Sequence, residues 1–221
     1  MRREIQITSD GSTTIHLPDW DENYHSKHGA IQEAKHVFIK NGLSLFENHA
    51  TVAILEIGFG TGLNAFITYL ETKENQQRIN YVGIEAYPIS ADEVGFMNYV
   101  EELNATEDIS VFQTMHSCDW EKENLISNEF QLTKRKQFFQ DINDISSFDL
   151  IYFDAFGYRV QPELWTLEVF SKMYSALRPN GVLVTYAARG VVKRNMLEAG
   201  FTVEKLEGPP GKREMFRARK S

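Results

Sequence analysis

Apolar residues along this chain follow two spacings, and the alternation between them lays out the fold. Thr51-Val52-Ala53-Ile54-Leu55 is a short, β-branched run, the pattern of a strand covered on both faces of a parallel sheet. A helical stretch follows from about Leu63 to Glu71, then a second strand, Tyr81-Val82-Gly83-Ile84-Glu85. Pro88 suits the first turn of a helix through Val94, Met97, Val100 and Leu103. Residues 106–130 show no clear period. Phe130 to Phe139 predicts a third strand closed by Gln140-Asp141, and Phe148 to Phe156 a fourth that carries Asp154 at its end. Pro162 opens a helix with Leu164, Leu167, Phe170, Met173, Tyr174 and Leu177 on one face, terminated by Arg178-Pro179-Asn180-Gly181. Gly181 to Ala187 reads as a fifth strand and the next helix runs through Leu197 until Ala199-Gly200 stops it. Phe201–Leu206 then pairs with Glu214–Ala218 across Pro209-Pro210-Gly211.

Ahead of this series the period differs. Ile5 and Ile7, then Thr13, Ile15 and Leu17, alternate on either side of Asp10-Gly11 and predict a β-hairpin. From Asn23 to Phe46 the spacing is helical at Ala30, Ala34, Val37 and Phe38, interrupted at Asn41-Gly42. The whole predicts one α/β domain over residues 1–221, with residues 1–50 an N-terminal extension packed on the core. Its sheet is doubly wound, and its last strand is antiparallel to the rest. Ligands of such sheets sit beyond the carboxyl ends of the strands. Gly58–Gly62, Glu85, Asp141, Asp154 and the loop from Glu207 to Arg213 are therefore expected on one rim.

Composition narrows the partners. Cys118 is the single cysteine, so no disulfide forms within the chain and no cysteine-based zinc cage is available, which fits a reducing cytoplasm. His25 and His28 have no third ligand nearby, and are read as solvated or substrate-facing rather than as metal ligands. No metal is expected. Met1-Arg2-Arg3 leads into polar sequence rather than a secretory signal, and no apolar run reaches membrane-spanning length. The net charge of −8 speaks against a general nucleic-acid binder. Basic residues do gather locally: Lys212, Arg213, Arg217, Arg219 and Lys220 near the end, and Arg189, Lys193 and Arg194 before them. They are either solvated charge or, converging on the ligand rim, a phosphate-contacting face.

The chemistry is concentrated in Glu56-Ile57-Gly58-Phe59-Gly60-Thr61-Gly62, where a buried-strand signal meets a turn with glycine at every second position. Glycine permits positive φ and close backbone approach to a ligand. A dinucleotide fingerprint needs a third glycine where Leu63 stands. The pattern E-x-G-x-G-x-G instead resembles motif I of the class I S-adenosylmethionine methyltransferases, with Asn64 opening the helix behind it. Glu85, ending the next strand, is placed to accept from both ribose hydroxyls. Asp141 is a candidate for the adenine amino group or an ordinary loop aspartate.

From Gly29-Ala30-Ile31-Gln32-Glu33-Ala34-Lys35-His36-Val37-Phe38 onward the chain resembles one methyltransferase family, the one that makes 5-methylaminomethyl-2-thiouridine in tRNA (the MnmC methyltransferase domain and its stand-alone form MnmD). Glu56 to Asn64, Phe153-Asp154-Ala155-Phe156, Pro162-Glu163-Leu164-Trp165, Arg178-Pro179-Asn180-Gly181, Lys193-Arg194, Glu198-Ala199-Gly200-Phe201 and Gly211-Lys212-Arg213-Glu214-Met215 carry the resemblance. It implies a Rossmann-like class I fold, S-adenosyl-L-methionine as cofactor, and methylation of the primary amine of 5-aminomethyl-2-thiouridine in the tRNA anticodon region. Bifunctional members continue into an FAD-dependent oxidoreductase domain; ending at Ser221, this chain is expected to rely on a separate enzyme for that amine. A carboxylate facing the amine would position it and take its proton; Asp154 is the candidate, with a cofactor or helix-cap aspartate as the other reading. Glu33, Lys193, Arg194, Lys212 and Arg213 are the expected RNA-side contacts. Phe156, Tyr158 and Trp165 are candidates to stack on a splayed-out base, Trp165 having a core position as its second reading. A small-molecule amine methyltransferase and a non-catalytic cofactor- or RNA-binding protein are the competing functions.

Overall fold

The computed structural model describes residues 2–73 and 76–221. Strands β1 (Glu4–Ile7) and β2 (Thr13–Leu17) form the expected antiparallel hairpin, and β3 (Glu22–Asn23) adds to its second edge. The helical stretch expected from Asn23 to Phe46 begins only at Ala30 and breaks at Asn41-Gly42, where the interruption was expected. It comprises α1 (Ala30–Ala34), a π-helical turn over Lys35–Lys40 and a 3₁₀ turn over Leu43–Phe46. The Asn41 side chain donates to the carbonyl of His36 at 2.8 Å, which satisfies the widened turn just before the break.

The central layer follows in order: β4 (Thr51–Ile57), α2 (Leu63–Lys73), β5 (Arg78–Ile84), α3 (Ala91–Gly95), α4 (Tyr99–Glu102), α5 (Ile109–Ser117), β6 (Glu123–Leu125), β7 (Phe130–Arg135), β8 (Phe148–Phe153), α6 (Leu167–Ala176), β9 (Leu177–Thr185), α7 (Gly190–Glu198), β10 (Thr202–Glu207) and β11 (Glu214–Arg219). Among the described residues the sheet runs β10-β11-β9-β8-β4-β5-β7-β6. Strands β9, β8, β4, β5 and β7 are mutually parallel, while β11 enters antiparallel between β10 and β9, and β6 is antiparallel at the far edge. Val52, Ile54, Leu55 and Ile57 of β4 are fully buried; each contributes about 1.5–3 kcal/mol on burial. Ile15 and Leu17 of β2 share an apolar cluster with Val52, Ile54 and Phe66, so the N-terminal strands bury their inner face on one side of this sheet. No helix among the described residues is long and apolar enough to cross a membrane.

Several boundaries depart from the pattern-based expectation, each for a local reason. Pro88 lies outside any helix: Ser90 and Glu93 form a reciprocal capping box that starts α3 at Ala91. That helix does not continue to Leu103, because Asn98 turns its side chain to the N-terminal hairpin, accepting from Thr13 N–H at 2.8 Å and donating to Gly11 O at 2.9 Å. The third strand stops at Arg135, whose guanidinium pairs with Asp144 at 2.8 Å rather than extending to Phe139. The fourth ends at Phe153, leaving Asp154 one step past it. Pro162 opens a 3₁₀ turn over Pro162–Trp165, and Thr166 caps α6 by accepting from Val169 N–H. Arg178-Pro179-Asn180-Gly181 does not terminate the helix from outside. It already belongs to β9, with Arg178 held by Asp149 and Asn180 at φ 65° marking an irregularity in the strand.

Candidate active site

Register aligns the strand ends that build the site. Ile57 of β4 is paired with Ile84 of β5 on one side and with Phe153 of β8 on the other. The next residues, Gly58, Glu85 and Asp154, therefore emerge side by side at the carboxyl ends. The sheet's connections reverse direction between β4 and β8, the topological switch point at which such folds bind ligands.

The glycine turn is tightly constrained. Gly58 has φ 90°, and a Cβ there would lie 2.7 Å from the Asp154 carbonyl oxygen; the turn is thereby pressed against the β8 end. Phe59 folds back into the sheet, and Gly83 leaves room for it, since a Cβ at Gly83 would sit 2.4 Å from the Phe59 ring. Glu85 ties the turn to its own strand, accepting from Gly60 N–H at 3.0 Å and from Tyr87 N–H at 2.9 Å. A carboxylate has about four acceptor positions, so two remain for a ligand.

Behind the turn lies a buried polar chain. Asn64, 3 % exposed, donates both amide hydrogens, to Glu56 Oε1 and to Asp154 Oδ2, each at 2.9 Å. Glu56 is fully buried and its carboxyl is pushed well above the usual range, chiefly by burial. Asp154 is pushed up to about 7 by burial first and by the Glu33 charge second, while the Asn64 hydrogen bond and the Lys212 charge pull the other way. Asn64 Oδ1 and Glu56 Oε2 lack a hydrogen-bond partner.

Two clefts meet at Asp154. The first, of ≈ 280 Å³, is lined by Gly58, Phe59, Gly60, Asn64, Glu85 and Asp154, by Tyr87 and Phe138 at its mouth, and by Phe156, Phe139 and Gln140. The second, of ≈ 700 Å³, is lined by Glu22, Glu33, Asp154, Tyr158, Tyr186 and Lys212, with Lys27, Arg159, Arg189 and Arg213 exposed around it. Tyr24, His25 and Asp154 belong to both and form the partition. His25 is pushed down to about 4, mainly by burial, and so is a neutral imidazole, within 3.4 Å of the Thr61 hydroxyl and 3.3 Å of the Thr14 hydroxyl. It is half-buried and faces both clefts, and among the described residues no three or more side chains are grouped to hold a metal.

The sequence-predicted residues divide accordingly. Gly58, Phe59, Gly60, Asn64 and Glu85 line the first cleft. Glu56, Thr61 and Gly62 stand behind it, Thr61 accepting from the Tyr99 hydroxyl at 3.0 Å. Asp141 is exposed and outside the lining, its neighbour Gln140 taking that place. Phe156 faces the first cleft, edge-on to Trp20 and Tyr24. Tyr158 faces the second, with the Arg189 guanidinium 5.6 Å over its ring. Trp165 is 0 % exposed and donates its indole N–H to Phe156 O at 2.8 Å. Its core reading holds, and the stacking role is withdrawn. Lys193 and Arg194 lie on α7 away from both clefts, whereas Glu33, Lys212 and Arg213 line the second. Arg217 is spent on Glu204 at 2.6 Å, and Lys220 donates to Tyr174 O and Leu177 O at the end of α6. Tyr24, Tyr87, Phe138 and Tyr186 carry no site signal of their own in the sequence; Tyr87, two residues beyond Glu85, and Tyr186, one residue beyond the end of β9, were reachable by the switch-point rule.

Against known proteins, a family model described as S-adenosyl-L-methionine-dependent methyltransferase matches residues 136–221. The chain is 30% identical over 215 residues to the tRNA 5-methylaminomethyl-2-thiouridine biosynthesis bifunctional protein MnmC of Burkholderia multivorans, a match covering 92% of this chain. This chain is a relative of MnmC. It spans about a third of the length of that relative, 33%. The crystal structure of MnmC2 from Aquifex aeolicus superposes with a TM-score of 0.79 at 24% identity, covering 98% of this chain and 70% of that one. Spermidine synthase from Thermotoga maritima shares the fold more distantly, with a TM-score of 0.54 at 13% identity over 100% of this chain and 72% of that one. The architecture is that of a class I methyltransferase, and the family match gives S-adenosyl-L-methionine as the cofactor. The first cleft fits that group: a glycine turn that a Cβ would block, a carboxylate with free acceptor positions, and an orphaned buried amide oxygen on Asn64.

Proposed function

We propose that this chain methylates the primary amine of 5-aminomethyl-2-thiouridine at the wobble position of tRNA, giving 5-methylaminomethyl-2-thiouridine. The reading rests most on the second cleft, which sets carboxylates at its floor and basic side chains around its rim. Glu33, ion-paired with Lys212, and Asp154 form the floor, and Lys27, Arg159, Arg189 and Arg213 stand exposed around the edge. With Asp154 left to meet an amine, such a floor under a basic edge suits a ligand that carries an amine between phosphates. The kinship with MnmC supports the identity of that nucleoside.

In this reading the cofactor lies in the first cleft, with Glu85 on the ribose hydroxyls, the Gly58–Gly60 turn against the amino-acid end, and Tyr87 and Phe138 beside the adenine. Bound there, S-adenosyl-L-methionine supplies a methyl group on a sulfonium, a good leaving group. The protein's part is to hold the acceptor nitrogen in line and to handle one proton. Asp154, in the partition, reaches the nitrogen from the second cleft and takes the proton that the ammonium must shed before its lone pair can attack the methyl group. A carboxyl titrating near 7 is suited to that exchange at neutral pH. Neutral His25 beside it adds no competing positive charge. The reaction belongs in the cytoplasm with its tRNA.

The test is direct. The purified chain is incubated with S-adenosyl-L-methionine and tRNA bearing 5-aminomethyl-2-thiouridine, and the digested nucleosides are weighed by mass spectrometry. One added methyl on that nucleoside is expected. An unchanged nucleoside refutes the proposal, and methylation of free small amines in its place moves the function to small-molecule chemistry.

A further inference from the structure

The second cleft already contains an ammonium. Lys212, on the loop between β10 and β11, reaches down from the edge instead of facing solvent. Its Nζ is ion-paired with Glu33 and lies 3.6 Å from the centre of the Tyr186 ring. Glu33 is 7 % exposed, and its second oxygen accepts from Ser26 N–H at 3.0 Å. The Tyr186 hydroxyl donates to Ala155 O at 2.8 Å, one residue from Asp154. This lysine is therefore fixed inside the acceptor site and is poorly placed to meet a phosphate.

We propose that Lys212 tunes the proton balance of the methylation site, pairing with Glu33 and drawing Asp154 toward the ionised form that accepts the proton of the acceptor amine. The inference rests on the amine-methylating reading above and assigns a residue that acts through Asp154 and Glu33. A primary amine reaches the site as an ammonium and must lose a proton before its nitrogen can attack. An uncompensated Glu33 would oppose this twice: its charge would keep the amine protonated, and it would drive Asp154 toward its neutral form, which cannot accept a proton. The Lys212 ammonium offsets part of both effects.

The cleft around the pair is also lined by Asp21, Glu22, Lys27, His28, Arg159 and Arg189. Asp154 feels Glu33 from α1 and Lys212 from the hairpin loop, and it connects through Asn64 to the buried Glu56 carboxyl on β4. From β9, Tyr186 is held in its un-ionised form, pushed well above the usual phenol range by burial and by Asp154, Glu33 and Glu22. His25, from the N-terminal segment, is neutral. Arg213 and Glu214 follow Lys212 along the loop and also line the cleft.

Two variants with opposite expected signs test the proposal. In Lys212→Gln the Asp154 titration should move to higher pH, and in Glu33→Gln to lower pH, by about one pH unit each, as expected when a close unit charge is removed. The measurement is ¹³C NMR of carboxyl-labelled aspartate in the full chain, assigned with Asp154→Asn, and it does not depend on turnover. With amine-bearing tRNA, the acid limb of the pH–rate profile should shift the same way. Lys212→Gln should lower kcat at pH 7 about tenfold without raising KM, and Lys212→Arg should restore most of it. A merely structural lysine would instead raise KM and leave the titration in place. Titrations that stay fixed, or that move in one direction in both variants, overturn the proposal whatever the tRNA result. Opposite shifts in a chain that leaves the amine-bearing tRNA unmethylated would uphold the coupling and refute the substrate.

Discussion

Replacing Asp154 by asparagine removes a charge from the partition while keeping its shape, and it should make the protein more stable and inactive together. The sign follows from linkage. In the unfolded chain an aspartate ionises near 3.8, whereas in the folded protein Asp154 holds its proton to about 7. Between those values the folded state binds more protons than the unfolded one, so stability falls as pH rises, then levels off once both forms are ionised. At roughly 1.4 kcal/mol per pH unit the full cost of ionising Asp154 in place is about 4 kcal/mol. Water in the clefts reaches one edge of the side chain and screens part of that, leaving about 2 kcal/mol to be regained by Asp154→Asn above pH 7. An asparagine oxygen can still accept from Asn64, so the buried chain stays closed. Urea unfolding without cofactor, from pH 4 to pH 8, should show wild type and variant nearly equal at the acid end and diverging steadily until about pH 7. In melting temperature the gain would be about 4–8 °C for a chain of this size. Single-turnover methylation should meanwhile fall by about 10² or more. A stability difference that is constant across pH, or a variant less stable throughout, would refute the burial argument; near-normal turnover would remove Asp154 from the chemistry.

Other positions give sharper single readouts. Glu85→Ala releases two backbone N–H groups as well as the ribose acceptors, and calorimetry should show cofactor binding weakened by about 1–3 kcal/mol; unchanged affinity in a folded variant would move Glu85 out of the site. Gly58→Ala combines φ 90° with a Cβ 2.7 Å from the Asp154 carbonyl, so a loss of more than about 1 kcal/mol of stability and failure to retain cofactor are expected, read by thermal melts with and without ligand. Arg213→Ala with Arg189→Ala should flatten the salt dependence of tRNA binding by just under about one log–log unit for each phosphate no longer neutralised, while Lys212→Gln should leave that slope alone. Equal slopes in all three would place the RNA elsewhere.

Much of the frame was legible because burial dictated it. Val52–Ile57 and Phe148–Phe153 are covered on both faces, so their composition alone marks them as strands, and the glycine turn and the acids at positions 85 and 154 follow from where those strands end. Legibility failed where a distant contact overrides a local preference. Asn98 looked like an ordinary helical position until Thr13 and Gly11 claimed its side chain. Lys212 read as one member of a surface charge cluster, since no local pattern reveals a carboxylate 179 residues away in sequence. Trp165 had two readings, and only the carbonyl of Phe156, fixed by the loop after β8, chose between them. Tyr24 and His25 gave least warning: nothing in a short polar segment before α1 shows that the N-terminal sheet will set it between two clefts.

That partition has a kinetic meaning. Because Tyr24, His25 and Asp154 divide the site, the first cleft opens past Tyr87 and Phe138 while the second opens among arginines, and neither ligand has to pass through the other's entrance. Under the proposed function, spent cofactor would leave and fresh cofactor enter with the RNA still seated, so binding would have no compulsory order. Initial rates varied in both substrates should give intersecting lines, and S-adenosylhomocysteine should compete with the cofactor but not with tRNA. An enzyme arranged in this way can discharge its by-product without giving up a macromolecule that took longer to find.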